Sequence, residues 1–291
     1  MSVSIEELRS RHPCFALGAK NNSGRIHLPV SPGCNIGCRF CKRDINDTEV
    51  RPGVSSSIIT PDEALDAIRK ATELMPEIQV AGVAGPGDTL ATPYALETFR
   101  KIKDRFPDII KCMSTNGLML AERAGEVIEA GIDSLTVTVN AVDPEILAQI
   151  NEFIIWQGKR IEGIEAAKIL IENQLEGIRR VSAGGVTVKV NTVLIPEINR
   201  DHVKEVAKAV SECGATIYNI IPLIPQHKLS HCTEPSCELL YEVRKEAEEY
   251  IKVFRHCSRC RADAVGLPGG KDISKQIYLR EIKAENTFSH G

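Results

Sequence analysis

Three cysteines near the start of the chain have the spacing of a metal-cluster site. The segment SPGCNIGCRFC places Cys34, Cys38 and Cys41 with three and two residues between them. Three thiolates this close in one loop can converge on a soft metal centre. Zinc would need a fourth ligand, and none lies nearby in the sequence. An iron–sulfur cluster normally takes four cysteines, so three of them leave one iron open for a ligand that the protein does not supply.

The chain has ten cysteines in all. Disulfides are rare where thiols are kept reduced, so metal binding or catalysis explains so many cysteines in a cytosolic protein better. Cys257 and Cys260 form a second tight group, a CxxC pair that could be half a zinc site or a redox pair. Cys213 lies at a predicted helix end, where we expect it to be buried. For Cys232 and Cys237, in the segment HKLSHCTEPSC, we predict a loop or surface role rather than a metal site.

Glycine-rich and polar segments lie at the ends of the predicted strands. AGPGD (84–88) follows the second strand and STNG (114–117) follows the third, while Asn140 ends the fourth and Asn191 lies in the fifth. Taken alone, these residues are typical of turns, because glycine permits a positive φ and asparagine tolerates one. Because they share the strand ends with the cysteine loop, we interpret them instead as parts of one binding site.

Apolar runs and helical stretches alternate along the chain, which places these motifs on a fold. The predicted strands are 25–31, 78–85, 109–115, 133–140, 185–194 and 215–221. The predicted helices are 61–74, capped by Thr60, and 93–104, 120–130, 161–175, 200–212 and 236–253. Six strand-then-helix units imply a parallel sheet with right-handed crossovers. Six units fall short of the eight of a closed barrel, so we predict an α/β fold with a partial (β/α)6 TIM-like barrel rather than a doubly wound sheet. In either architecture the site lies at the carboxyl ends of the strands.

Composition excludes several classes of function. With 291 residues, 43% apolar and 26% charged, the chain is ordinary globular protein. The net charge of −3 argues against a general binder of nucleic acid or of membrane surfaces. No apolar run reaches the ~20 residues of a membrane span, and the polar start MSVSIEELRSRHPC has no signal-peptide core. We therefore expect a cytoplasmic protein.

The cysteine loop resembles a known family. CNIGCRFC matches the CxxxCxxC motif of radical S-adenosylmethionine (SAM) enzymes, including the aromatic residue before the last cysteine. The resemblance implies that Cys34, Cys38 and Cys41 are catalytic and hold a four-iron, four-sulfur (4Fe–4S) cluster whose open iron is chelated by SAM. Reductive cleavage of SAM would then yield a 5′-deoxyadenosyl radical. The residues implied in SAM binding are Gly85, Gly87, Asp88, Ser114, Asn116, Asn140 and Asn191, although the glycine-rich segment lacks the glutamate of the commoner form.

Further motifs resemble one branch of that superfamily, the NifB family of nitrogenase cofactor maturases. They are HPC (12–14), the strand with His27, RPGV (51–54), AGPGD, CMSTNG and HCSRCRADAVG (256–266), so the resemblance covers about residues 11–267. It implies fusion of two 4Fe–4S clusters with a carbide from SAM and an added sulfur, which gives the eight-iron precursor of the nitrogenase cofactor. Longer relatives add a carrier domain. The implied partners are cluster-donor proteins and cofactor-carrier or nitrogenase assembly proteins, with no nucleic acid and no membrane.

The same resemblance implies two auxiliary 4Fe–4S clusters as substrates. Cys14, His27 and Cys112 would hold one, with His12 as a competing nitrogen ligand. Cys257 and Cys260 would hold the other. Many relatives have a cysteine where this chain has Asn46, and Glu49 either takes its place as an oxygen ligand or pairs with Arg51. We expect an N-terminal extension (1–24), the barrel (25–253) and a C-terminal extension (254–291).

Two rival interpretations stay open. One is a radical SAM enzyme that acts on an organic substrate and uses auxiliary clusters for electron transfer. The other is a non-catalytic iron–sulfur carrier, which would bind clusters without cleaving SAM. The AGPGD and STNG segments argue against the carrier.

Overall fold

The computed structural model describes residues 3–15, 22–257 and 259–278. Its strands are β1 (Gly24–His27), β2 (Ile36–Cys38), β3 (Asp44–Ile45), β4 (Val54–Ser55), β5 (Ile78–Val83), β6 (Ile110–Thr115), β7 (Ser134–Thr138), β8 (Asn151–Trp156), β9 (Lys159–Glu162), β10 (Thr187–Leu194), β11 (Ile217–Pro222) and β12 (Val265–Gly266). Its helices are α1 (Ile5–Arg11), α2 (Pro61–Leu74), α3 (Tyr94–Arg105), α4 (Leu120–Glu129), α5 (Pro144–Ile150), α6 (Gly163–Ala183), α7 (Pro196–Asn199), α8 (Val203–Glu212), α9 (Cys237–Ala247) and α10 (Ser274–Tyr278). Two short 3-10 helices span Arg200–His202 and His227–Leu229.

A curled sheet forms a half barrel with the strand order β11-β10-β7-β6-β5-β1-β12. The six strands from β11 to β1 run parallel, and β12 is antiparallel to β1. These six parallel strands are the six predicted ones, so the predicted partial barrel is confirmed. The domain boundaries stay a prediction, although the C-terminal segment contributes β12 to the same sheet.

The two faces of the sheet differ in chemistry. Side chains such as Val137 and Val190 on the outer face are fully buried in a core shared with the flanking helices. Since side chains alternate along a strand, the residues between them, such as Thr136, Lys189 and Asn191, face the inside of the half barrel. The inner face is therefore polar over much of its height. An apolar cluster fills its amino-terminal end, with Leu8, Phe15, Val80, Ile110, Ile217 and Phe254.

Helix boundaries follow local capping where it is strong. Thr60 accepts from the backbone N–H of Glu63, whose carboxylate accepts from the N–H of Thr60, and α2 has its predicted bounds. The other helices differ from their predicted bounds. The prediction ended α6 at residue 175, whereas the helix continues to Ala183. In contrast, α9 ends at Ala247, because the chain then turns to run beside β11, where the Phe254 N–H donates to the Tyr218 carbonyl at 2.7 Å.

A three-stranded sheet with the order β2-β8-β9 is absent from the sequence-based prediction. Its hairpin turns at Gln157 and Gly158, which both have a positive φ (49° and 76°). Asparagine or glycine at such paired positions is the usual signal of a two-residue hairpin, and here only Gly158 carries it. No helix in the described ranges is long and apolar enough to cross a bilayer, and the cytoplasmic location stays a prediction.

Candidate functional site

The cysteine loop follows β1 at the carboxyl ends of the parallel strands, as predicted. On one side it is held by the glycine-rich segment, since the Gly87 N–H donates to Ser31 O at 2.7 Å and the Asp88 N–H to Gly33 O at 2.8 Å. A Cβ atom on Gly87 would lie 2.0 Å from Gly33 O. Only glycine allows the two backbones to approach this closely.

The β8–β9 hairpin holds the other side of the loop. Strand β2, which contains Cys38, pairs with β8, and Cys38 is the register partner of Asn151. The Ile155 N–H donates to Asn35 O at 2.7 Å, and the Arg39 N–H donates to the carbonyl of Ile150 at 2.9 Å. The cysteine loop is therefore clamped between two segments that are remote from it in sequence.

The three cysteines of the loop are half-buried, and two of them lie beside hydrogen-bond donors. Burial raises the pKa of Cys34 to about 11 and raises the pKa values of Cys38 and Cys41. The side-chain amide of Asn116 lies 3.8 Å from the Cys34 sulfur, and that of Asn151 lies 3.5 Å from the Cys38 sulfur. Buried thiols become thiolates when a cationic metal is bound, and amide donors to sulfur are common around iron–sulfur clusters. This donor set therefore fits such a cluster.

Asp88 links the glycine-rich segment to the end of β6. Its carboxylate accepts from the backbone N–H of Asn116 at 2.5 Å, from the N–H of Leu90 at 2.9 Å and from the Thr115 hydroxyl at 3.0 Å. Burial raises the pKa of Asp88, and these three donors oppose the rise. With both oxygens engaged, the carboxylate orients the loop. Asn116, so held, donates to Asn35 Oδ1 at 2.7 Å in the cysteine loop.

Ser114, Asn140 and Asn191, which were also expected near SAM, lie in or just after the carboxyl-terminal halves of β6, β7 and β10. The carbonyl of Ser114 accepts from the Thr89 hydroxyl at 2.7 Å. Asn140 lies beyond the end of β7, not at its end as predicted, and its Oδ1 accepts from the Val193 N–H at 3.0 Å. This contact ties the loop after β7 to β10. Asn191 Oδ1 accepts from the Asn219 side chain at 3.0 Å.

His27, Gly82 and Cys112 lie in one row across β1, β5 and β6. Gly82 is the register partner of both His27 and Cys112. A Cβ on Gly82 would lie 3.2 Å from Cδ2 of His27, so the missing side chain leaves space between imidazole and thiol. Cys112 lies in the middle of β6, which continues to Thr115, where the hydroxyl group donates to the Asp88 carboxylate.

The imidazole of His27 is held in one tautomer. Its Nδ1 lies 2.9 Å from the Arg261 carbonyl, and a carbonyl only accepts, so Nδ1 carries the proton. Burial lowers the pKa of His27 to about 4, an effect that Arg25 reinforces. Neutral imidazole with a free Nε2 is the form that ligates metals, and a carbonyl partner on Nδ1 is common for such ligands.

Cys14 joins this row from the N-terminal extension. Burial raises the pKa of Cys14 to about 12, although Lys189 opposes the rise, and Cys14 packs with Cys112 against the apolar cluster at the amino-terminal end of the half barrel. The Cys14 N–H donates to Nδ1 of His12 at 3.1 Å, while His12 Nε2 is buried without a hydrogen-bond partner among the described residues. Because Nδ1 accepts, the proton of the neutral His12 ring lies on Nε2, so His12 would have to change its tautomer to compete with His27 as a ligand.

Arg261, next to the C-terminal pair, joins it to the segment that contains Glu49, because its guanidinium donates to the carbonyls of Glu49 at 2.6 Å and Asn46 at 2.7 Å. Cys257 is exposed and Cys260 half-buried, and the Arg25 guanidinium donates to the Cys260 sulfur at 3.2 Å. One oxygen of Glu49 accepts from Asn46 at 3.0 Å and from Arg51 at 2.6 Å, so the ion pair with Arg51 is the interpretation that the geometry favours.

The other cysteines lie apart from the site. Cys213 is buried, as predicted. Cys232 lies in a loop but is buried, and Cys237 begins α9 and is exposed. Among the described residues, no three His, Cys, Asp or Glu side chains could hold one metal ion. Ligands of a four-iron cluster bind different irons and need not meet at one point.

Comparison with known proteins agrees with this geometry. Residues 28–210 match the model of the radical SAM superfamily. The FeMo cofactor biosynthesis protein NifB of Methanocaldococcus infernus is 46% identical over 284 residues, which cover 97% of this chain and 94% of that protein. NifB of Klebsiella pneumoniae is 41% identical over 281 residues, covering 94% of this chain and 60% of that longer protein.

Solved structures share the fold at low sequence identity. SuiB of Streptococcus suis, solved with S-adenosylmethionine bound, superposes with a TM-score of 0.57 at 10% identity, covering 79% of this chain and 49% of that one. A radical SAM methyltransferase of Sphaerobacter thermophilus gives a TM-score of 0.55 at 15% identity, covering 79% of this chain and 64% of that one.

Proposed function

The chain belongs to the NifB family of the radical SAM superfamily, and from that premise we propose that it is a maturase of the nitrogenase cofactor. It fuses two 4Fe–4S clusters, with a carbide from SAM and an added sulfur, into the eight-iron precursor, as an enzyme of the lyase or transferase type. Its partners are proteins that deliver clusters and proteins that carry the product to nitrogenase.

Family membership implies one resident 4Fe–4S cluster and SAM, which together supply a reactive organic radical by reductive cleavage. The chain's own residues arrange this chemistry. Cys34, Cys38 and Cys41 hold the cluster, and Asn116 and Asn151 donate to its cysteine sulfurs. The backbone of the glycine-rich segment, oriented by Asp88, lies where the polar end of SAM would bind.

One observation carries the substrate assignment: Cys14 and Cys112 pack against the same apolar cluster at the amino-terminal end of the half barrel, and the Cys260 sulfur lies 3.2 Å from the guanidinium of Arg25, two residues before His27. We assign one substrate cluster to Cys14, His27 and Cys112, and the second to Cys257 and Cys260. Two clusters held side by side are what a fusion reaction requires, whereas electron transfer to an organic substrate would need no such pairing.

Replacement of Cys34, Cys38 and Cys41 by alanine tests the separation of roles. The triple variant, reconstituted with iron and sulfide under anaerobic conditions, should form no 5′-deoxyadenosine and should still bind the two auxiliary clusters. Normal SAM cleavage by this variant would refute the assignment. Iron counting and EPR, with and without SAM, give the readout.

Exchange of Cys14 and Cys112 for serine tests the shared cluster. Either change should alter the same EPR signal, and the double change should do little more, because ligands of one centre act as a unit. SAM cleavage should persist, but the product should not activate cofactor-free nitrogenase. Full activation by the double variant would exclude both the shared cluster and the maturase function. Auxiliary clusters that survive turnover intact would instead favour an organic substrate.

A further inference from the structure

Two buried lysines in the parallel sheet have opposite surroundings. Lys111, on the outer face of β6, is 6% exposed and forms an ion pair with the equally buried Asp133, at 2.9 Å between Nζ and Oδ2. Lys189, on the inner face of β10, is 5% exposed, and no carboxylate of the described residues lies within ion-pair distance of it. An unpaired buried ammonium is costly, so the position of Lys189 needs an explanation.

The contacts of Lys189 are neutral. Its Nζ donates to the carbonyl of Cys14 at 3.3 Å and lies 5.1 Å from the centre of the Phe15 ring and 5.5 Å from that of Phe254. A carbonyl dipole and two aromatic faces attract a cation but do not neutralise its charge. The three contacts hold the ammonium in place at the amino-terminal end of the space inside the half barrel, which is called the chamber from here on.

The charge of Lys189 acts on both thiols and both histidines of the Cys14–Cys112 site. Burial raises the pKa values of Cys14 and Cys112, and Lys189 lowers both. It also reinforces the effect of burial in lowering the pKa values of His12 and His27.

We propose that Lys189 is a positioning residue whose ammonium is the counter-charge of the reduced cluster held by Cys14, His27 and Cys112. The inference rests on the proposed function, since it needs a cluster at this site. A doubly positive 4Fe–4S core with two thiolates and a neutral imidazole has no net charge, and one-electron reduction gives the cluster one negative charge, which a buried site must balance. The reduced cluster and Lys189 thus neutralise each other, while the cluster-free protein contains an uncompensated cation.

The test uses the full chain with Cys34, Cys38 and Cys41 replaced by alanine, so that only auxiliary clusters give a signal. Lys189→Gln keeps a donor for the Cys14 carbonyl and removes the charge, Lys189→Met removes both, and Lys189→Arg keeps the charge. In Lys189→Gln we expect the reduced cluster to lose iron to a chelator roughly tenfold faster, the order of effect of one nearby charge. The midpoint potential of the cluster should become more negative, because the reduced state carries the larger negative charge. Lys189→Arg should stay close to the parent in both measurements.

The metal-free proteins supply a readout that does not depend on clusters. Lys189→Met should unfold at the same or a higher temperature than the parent, because an unpaired buried charge is gone. The matched control, Lys111→Met, should unfold at a lower temperature, because it leaves Asp133 buried without its partner. A lower unfolding temperature in both would indicate that Lys189 is merely structural and would overturn the inference.

Failure of the proposed function and failure of the inference about Lys189 give different results. If the triple cysteine variant binds no auxiliary iron, the proposed function fails, and the inference about Lys189 fails with it. If it binds that iron, and Lys189→Gln retains it as tightly and at the same potential, only the inference about Lys189 is wrong.

Discussion

His27 and Cys112 face the same chamber from two strands that do not touch, with Gly82 of the strand between them as register partner of both. Neighbouring strands lie ~4.8 Å apart, so the backbones of the two residues are separated by about twice that distance. The gap is of the size of a small inorganic group, and the missing side chain of Gly82 keeps it open.

Gly82→Val should close this gap. Valine suits a parallel strand, but its Cβ would lie 3.2 Å from the His27 ring and its methyl groups would occupy the space beside Cys112. We expect the variant to fold, to cleave SAM and to lose about one four-iron cluster's worth of iron. Iron counting and EPR after reconstitution measure the loss.

The control is Gly125→Ala, because a Cβ there meets nothing within 4 Å. That change lies in the exposed part of α4 and should leave iron content at the parental value. Parental iron content in Gly82→Val as well would show that no cluster occupies the gap.

Asn151→Ala should slow SAM cleavage by about tenfold, the lower end of the effect of losing a group that supports a metal ligand. Asn151 donates to the Cys38 sulfur at 3.5 Å, and donors to sulfur raise the reduction potential of a cluster. The rate of 5′-deoxyadenosine formation with a weak reductant is the measurement. Asn173→Ala, which removes only a bond to the Ile169 carbonyl within α6, should leave that rate unchanged. Equal rates in the two variants would contradict the role of Asn151.

Gly87→Ala should separate the glycine-rich segment from the cysteine loop. The new Cβ would lie 2.0 Å from Gly33 O, so the backbones must move apart at a cost of about 1–3 kcal/mol of unfolding free energy. SAM affinity should fall with it, as measured by equilibrium binding to the reconstituted protein. Gly33→Ala lies at the same contact, but its Cβ would have an ordinary 3.6 Å contact with Thr92. Its unfolding free energy should be close to that of the parent, and similar losses in both variants would exclude the close approach as the cause.

At acid pH, protonation of His202 should break the hydrogen bonds that position the chain leading into the β8–β9 hairpin. Its Nε2 accepts from the N–H groups of Val142 and Asp143 at 3.0 and 3.2 Å, just before α5, which leads into β8. Burial lowers the pKa of His202 from 6.5, although Glu205 and Asp143 oppose the shift. The unfolded chain therefore takes up a proton first, so the contribution of His202 to stability is present above pH 6.5 and is lost as the pH falls below it.

Unfolding of the metal-free protein by urea, between about pH 7.5 and 5.5, measures this loss. His202→Gln should flatten the fall in stability below pH 6.5, whereas His231→Gln, at an exposed position, should leave it as in the parent. An identical pH profile in parent and His202→Gln would exclude His202 as its source.

Much of the site could be predicted because short sequence patterns indicate where its segments lie in the fold. The CxxxCxxC spacing, the six strand-then-helix units and the strand-end segments all point to the carboxyl ends of one parallel sheet, where the structure has them. The β8–β9 hairpin was missed, since Gln157 is an unusual residue at a positive φ and the strands around it are short. Asn151 was missed for the same reason, because it meets Cys38 through a strand pairing that spans more than a hundred residues.

The fold class, the cysteine loop and the family can be predicted from the sequence alone, because they depend on periodicity and on spacing within short segments. The set of side chains that share the chamber follows from the tertiary structure. Strand register aligned His27, Gly82 and Cys112, and the curl of the sheet placed Lys189 beside Cys14, 175 positions away. Register and curl arise from packing of the whole outer face against its helices, so no short segment encodes them.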